Sequence, residues 1–156
     1  MKTKFIRLFT VFTLLWLTGC TINTAGKDKE FDDFPPVMAG YMDVKGKKYE
    51  MQQGNYRWER KKGSDTEVVT TDAASPNQIG ESFRAIKVQP NATVNIEIEE
   101  NPKISVYQWN ESGREKEVNV KNNQLAVPSS KGRYIYEVLA KWSDGEVSYT
   151  FGVEVN

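Results

Sequence analysis

Residues 132–155 read Gly132-Arg-Tyr-Ile-Tyr-Glu-Val-Leu-Ala-Lys-Trp-Ser-Asp-Gly-Glu-Val-Ser-Tyr-Thr-Phe-Gly-Val-Glu-Val155. Tyr134, Tyr136, Val138, Ala140 and Trp142 alternate with Arg133, Ile135, Glu137, Leu139 and Lys141. After Ser143–Glu146, the residues Val147, Tyr149, Phe151, Val153 and Val155 alternate with Ser148, Thr150, Gly152 and Glu154. A period of two is that of a strand with one face in a core. Asp144-Gly145 is the favoured centre of a type I′ turn. A two-residue loop there sets Trp142 opposite Val147, Ala140 opposite Tyr149, Val138 opposite Phe151, Tyr136 opposite Val153 and Tyr134 opposite Val155. Every apolar residue then meets an apolar one, while Lys141 faces Ser148 and Ile135 faces Glu154. A slip by one residue would pair core with solvent along the whole hairpin.

Upstream the same period recurs in shorter runs. Lys48–Gln53 and Asn55–Arg60 flank Gly54, and Glu67–Thr71 follows a turn at Lys61–Asp65. Ala85–Val88, Val94–Ile98 and Ile104–Trp109 are separated by Pro90-Asn91 and Asn101-Pro102, and Val118–Val120 and Leu125–Val127 are shorter. Ser75-Pro76-Asn77-Gln78 offers a capping residue, a proline at the first helical position and a glutamine at the capping-box site. One short helix is therefore expected near residues 76–83. About eight strands without a long helix predict a single antiparallel β-sandwich, immunoglobulin-like, over residues 37–156.

The N-terminus has a different character. Lys2, Lys4 and Arg7 precede the apolar run Leu8–Leu17, which ends in Leu17-Thr18-Gly19-Cys20. This is the layout of a cleaved signal peptide, and the run is short of the roughly 20 residues that a membrane helix requires. Residues 21–36 are polar and charged and close on Pro35-Pro36, the composition of a tether. At sixteen residues it would reach roughly 20–25 Å as a coil and about 50–55 Å fully stretched. Phe31 and Phe34 are unusual in a free tether and are expected to dock on the domain or sit among lipid headgroups.

The Leu-x-Gly-Cys pattern resembles the lipobox of bacterial lipoproteins. The C-terminal stretch quoted above resembles the ending of small, mostly uncharacterised lipoproteins of Bacillus-type bacteria, and Gly54-Asn55-Tyr56-Arg57-Trp58 is similar to a second element of that group. The resemblance implies cleavage between Gly19 and Cys20, removal of residues 1–19, and an S-diacylglyceryl group on Cys20. Acylation of the Cys20 amine is left open. It also implies residence at the cell membrane, lipid-anchored on the extracytoplasmic face. Relatives often carry two cysteines near the upstream strand; this chain has neither, and the resemblance brings no catalytic residues with it.

Composition narrows the chemistry. Cys20 is the single cysteine, which excludes an internal disulfide, and histidine is absent. The commonest general base, the commonest zinc ligand and histidine-activated nucleophiles are thereby missing. No enzyme activity, cofactor or metal is expected. Loss of Lys2, Lys4 and Arg7 with the leader leaves 18 basic against 21 acidic side chains, a net charge of about −3 without a basic stripe, so nucleic acid is not the expected partner. Glu97, Glu99 and Glu100 read as the solvated side of a strand.

The expected role is a non-catalytic binding or support module, held to membrane lipid through Cys20 and facing an envelope protein or glycan. Most of the tyrosines and tryptophans belong to the core. Tyr107 and Trp109, which share a strand face with Ser105, and Ile135 and Leu139, on the polar side of the hairpin, are the expected binding surface. The alternative is a protease-inhibitor-like or ligand-sensing domain acting through loops around Gly63, Asn110–Arg114 and Pro128–Gly132, which would then cluster at one end.

Overall fold

A computed structural model of the chain describes residues 33–156. Gly19, Cys20 and the leader lie outside the described residues, as does Phe31. The described residues form two β-sheets packed face to face, with a single short helix. The smaller sheet has the order β2-β1-β6-β9, from β1 (Gly40–Val44), β2 (Lys47–Glu50), β6 (Thr93–Ile98) and β9 (Gln124–Ala126). The larger has the order β4-β3-β11-β10-β7-β8, from β3 (Gln52–Lys62), β4 (Asp65–Thr71), β7 (Lys103–Asn110), β8 (Gly113–Val118), β10 (Gly132–Lys141) and β11 (Gly145–Val155). β5 (Ile86–Val88) runs parallel to the end of β11, and every other pairing is antiparallel.

β2 and β3 form nearly continuous extended chain. It leaves the small sheet and enters the large one at buried Met51, whose N–H donates to the Gly40 carbonyl at 2.8 Å. The interruption thus falls at Met51 rather than at Gly54. Met42, Val94, Ile96 and Leu125 of the small sheet meet Trp58, Val106, Tyr136, Val138, Val147, Tyr149, Phe151 and Val153 of the large one in a single core. Phe34 packs against that core with the Arg60 guanidinium carbon 4.2 Å from the centre of its ring.

The C-terminal hairpin keeps its expected faces and changes its register. Ala140 pairs with Val147, Val138 with Tyr149, Tyr136 with Phe151 and Tyr134 with Val153; Ile135 faces Gly152 and Lys141 faces Glu146. All are displaced by two residues from the register that an Asp144-Gly145 turn would set. A shift of two conserves every inward and outward assignment because the side-chain period is two. The turn closes instead on Trp142, whose N–H donates to the Gly145 carbonyl at 2.8 Å, with Ser143-Asp144 at the tip.

Neither Asp144 nor Gly145 has the positive φ of a type I′ turn, whereas Lys45-Gly46 (54° and 81°) and Asn122-Asn123 (52° and 59°) do. Gly145 serves close approach instead. It lies opposite Trp58, and a Cβ there would stand 2.2 Å from the indole ring.

The helix α1 (Pro76–Glu81) starts as expected. The Ser75 hydroxyl accepts from the Gln78 N–H, and the Gln78 side chain accepts from the Ser75 N–H at 3.0 Å. α1 lies on the outer face of the large sheet, with Gly80 directly over Ile135: a Cβ on Gly80 would come within 2.7 Å of the Ile135 Cδ1. Two strands have no counterpart in the apolar pattern, β1 and the charged edge strand β8.

Candidate binding face

The four residues expected at a binding surface do share one face, the outer face of the large sheet. In the β7–β10 register Trp109 lies opposite Ile135, Tyr107 opposite Glu137 and Ser105 opposite Leu139. All four are half-buried. They do not form a continuous apolar row. Ile135 lies under Gly80 of the helix, and Glu137 separates it from Leu139 along β10.

What organises the face is an ion pair that the strand pattern does not reveal. Glu137 projects outward from the middle of β10 and its side chain is only 7% exposed. One carboxylate oxygen accepts from the Trp109 indole N–H and from Arg114 Nε, both at 2.8 Å, and the other accepts from Arg114 Nη2 at 3.0 Å. The guanidinium carbon lies 4.3 Å from the centre of the Tyr107 ring. Fork-to-fork bonding of this kind fixes the planar guanidinium, and the aromatic face adds a cation–π contact. Hydrogen bonding to Glu137 is the chief reason the Arg114 pKa is raised above its ordinary value, against a smaller opposing effect of burial.

Arg114 reaches this face through a β-bulge. Gln108 pairs with Lys116, yet Trp109 pairs with Arg114, so Glu115 is the extra residue on β8. Without it, Arg114 would fall on the opposite side of the strand. The displaced Glu115 accepts from the Gln108 amide at 2.8 Å. The result is a rigid cluster in which Glu137 is buried while the Arg114 side chain stays 45% exposed. Arg114 and Glu137 escape the reading of the sequence, since one sits in a charged run and the other at a nominally polar position. The available signal is Glu137 itself, a lone acid between Ile135 and Leu139 on a central strand.

The three loops do not converge. Trp109 pairs with Ile135 near the start of β10, so the Asn110–Gly113 turn lies at the same end as Pro128–Gly132. Gly63 lies at the other end, beyond the Gly145–Trp58 pair. Glu97 pairs with Lys48 on the outer side of the small sheet, and Glu99 accepts from the Ala39 N–H at 2.7 Å.

Among the described residues no helix is long and apolar enough to cross a membrane. Comparison with family models, curated proteins and solved structures gives no match to this chain. Fold and site together define the class: a two-sheet β-sandwich bearing an organised aromatic–arginine face outside its core.

Proposed function

We propose that this chain is a bacterial lipoprotein of the Bacillus type, cut between Gly19 and Cys20 and held to the extracytoplasmic face of the cell membrane by acyl chains on Cys20. Two acyl chains give stable anchoring without a basic patch. The domain is a non-catalytic binding module. Its immunoglobulin-like character is supported by the β7-β10-β11 order, the β6–β9 pair in the facing sheet and the parallel β5–β11 pair.

The observation that carries the binding reading is the Tyr107–Arg114–Glu137–Trp109 cluster. Tyrosine, tryptophan and arginine are the side chains that dominate protein interfaces, and pre-ordering them lowers the entropy cost of association. The partner is an envelope protein or glycan. A loop-borne inhibitor or sensor is the weaker reading, since only two of its three loops share an end.

The anchor is tested by Cys20→Ala, which should abolish acyl labelling and leave the leader attached; release of an unchanged product would refute it. The face is tested with a photo-crosslinking residue at Leu139 in the membrane-bound chain, with Gln124 on the small sheet as control. Adducts at Leu139 that disappear in Arg114→Ala and are absent at Gln124 are expected. Equal labelling at both positions would remove the large sheet's outer face from the proposal.

A further inference from the structure

The last strand of a sheet leaves a row of unpaired N–H and C=O groups, and proteins guard such edges with lysines, short strands or bulges. Of the four terminal strands here, three are guarded. β2 has four residues and exposes Lys47 and Lys48, and β9 has only three residues. β8 reads Gly-Arg-Glu-Lys-Glu-Val and carries the bulge at Glu115. β4 has none of these devices. Its seven residues include no lysine or proline, and its pairing with β3 runs without a register shift. Among the described residues no strand lies beyond it.

The open groups of β4 follow from its neighbour. The Glu59 N–H donates to the Asp144 carbonyl at 2.8 Å, so the Glu59 backbone faces the β11 side. Val68, opposite Glu59, accordingly turns its N–H and C=O away from β3, and Thr66 and Thr70 do the same by alternation. Val69 pairs with buried Trp58, which puts the side chains of Thr66, Val68 and Thr70 on the outer face. All three are exposed, Val68 by 47%. The open edge is thus a row of β-branched, uncharged residues.

We infer that β4 pairs with β4 of a second copy of this chain, antiparallel across a two-fold axis at Val68. Val68 then lies opposite its own copy and Thr66 opposite the partner's Thr70, each pair exchanging N–H···O=C bonds. Such β-branched and Thr–Thr pairs stabilise a sheet face. Glu67 falls opposite the partner's Val69 and Asp65 opposite the partner's Thr71, so no like charges meet. A second copy supplies this match by symmetry, whereas a foreign strand would have to reproduce it. The pairing also consumes the unguarded edge of both copies, so assembly closes at two. It depends neither on the Arg114 cluster nor on the anchor at Cys20.

Cysteine cross-linking of the full chain in detergent reads the register. Val68→Cys should give a disulfide-linked dimer, because hydrogen-bonded antiparallel partners have Cα atoms about 5.5 Å apart, within disulfide range. Thr66→Cys alone should stay at the level the parent chain gives through Cys20, since its two copies would be about 13–14 Å apart. Combined with Thr70→Cys it should cross-link as Val68→Cys does. Lys116→Cys on β8 should stay at the parent level. One strand pair makes a small interface, so sedimentation of the parent chain should show a dimer with a dissociation constant on the order of 100 μM. Val68→Lys puts two ammonium groups face to face and should weaken it about tenfold or more. The position is exposed, and an unaltered melting temperature will verify the fold. A monomer up to about 1 mM would overturn the inference. So would a dimer indifferent to Val68→Lys, or Thr66→Cys alone cross-linking as well as Val68→Cys. In whole cells, Val68→Cys joined to a different polypeptide instead of its own copy would also overturn it and give the edge to a foreign strand.

Discussion

The two faces of the β10–β11 hairpin are built on different principles. The inner face presents Tyr136, Val138, Ala140, Val147, Tyr149, Phe151 and Val153, all buried, against the small sheet. The outer face carries Ile135, Glu137, Leu139, Ser148 and Thr150, covered piecemeal by a one-and-a-half-turn helix and by an arginine from an edge strand. Apolar bulk is enough for the first, because many side chains of roughly the right size can fill such a core. The second depends on individual contacts: a glycine where a helix crosses an isoleucine, and a bulge where an arginine must turn outward. A binary pattern therefore describes the inner face and says little about the outer one.

The largest expected effect concerns the hairpin end, where this contrast can be broken directly. Gly145→Ala places a methyl group 2.2 Å from Trp58 ring carbon and 2.7 Å from the Arg57 carbonyl. It should lower stability by about 3 kcal/mol, at the upper end of overpacking penalties, measured by urea unfolding. Gly145→Asn separates two explanations. In a type I′ turn asparagine is well tolerated; here it should cost at least as much as alanine. A milder asparagine variant would restore the Asp144-Gly145 turn and the register that goes with it.

A second effect follows from the inner-face tyrosines. Burial is the main reason the hydroxyls of Tyr136 and Tyr149 are held well above the ordinary phenol pKa of about 10, with smaller contributions from Tyr134 and Glu99 respectively. The Tyr149 hydroxyl also donates to the Met38 carbonyl at 2.8 Å. A raised folded-state pKa means that the unfolded chain loses these protons first as pH rises. The contribution is complete below pH about 10 and is lost above it, at about 1.4 kcal/mol per pH unit for each tyrosine. Urea-unfolding free energies between about pH 10 and 12 should fall with that slope, and Tyr149→Phe should remove about half of it. A flat profile would mean that the inner face is wetter than its packing implies.

How far the sequence reveals the molecule depends on the face. The alternation around Tyr136 and Tyr149 gives the sandwich class, and Ser75-Pro76-Asn77-Gln78 gives the helix start. Both are local patterns with one physical meaning. The register is not local. Two registers that differ by two residues satisfy the same alternation, and the observed one sets Gly145 against Trp58, almost ninety positions away along the chain. β8 has a single apolar residue after Gly113, Val118, as befits an edge strand whose outer side meets solvent. The alternation of β7 places Tyr107 and Trp109 outside the core. Arg114 joins them only through the bulge at Glu115, which no spacing rule announces.

The outer face can be sharpened by removing the centre of its cluster. Glu137→Ala leaves the Trp109 N–H and the Arg114 guanidinium without their acceptor. Arg114 is nearly half exposed and regains water, so the expected loss is about 1–2 kcal/mol rather than the larger penalty of a fully buried pair. Adding Arg114→Ala should cost little more, because both changes remove the same interaction. Strictly additive losses in a double-mutant cycle would show that the two residues act separately and that the face is not one unit.

The smallest effect tests whether the outer layer is energetically separate from the core. Ser75→Ala removes half of the capping box of α1 and should destabilise the helix by about 1 kcal/mol. The Ile79 N–H donates to the Ser75 carbonyl at 2.9 Å and the Ser82 N–H to the Ile79 carbonyl at 3.0 Å. These two amides should exchange with solvent about fivefold faster in the variant, the factor that 1 kcal/mol represents. Protection at Val138, on the buried inner face, should not change. Local opening of this kind is expected of a short helix that rests on a sheet through a few contacts. If protection at Val138 fell by the same factor, helix and sandwich would open together. Ile135 would then belong to the cooperative core despite lying on the other side of its strand.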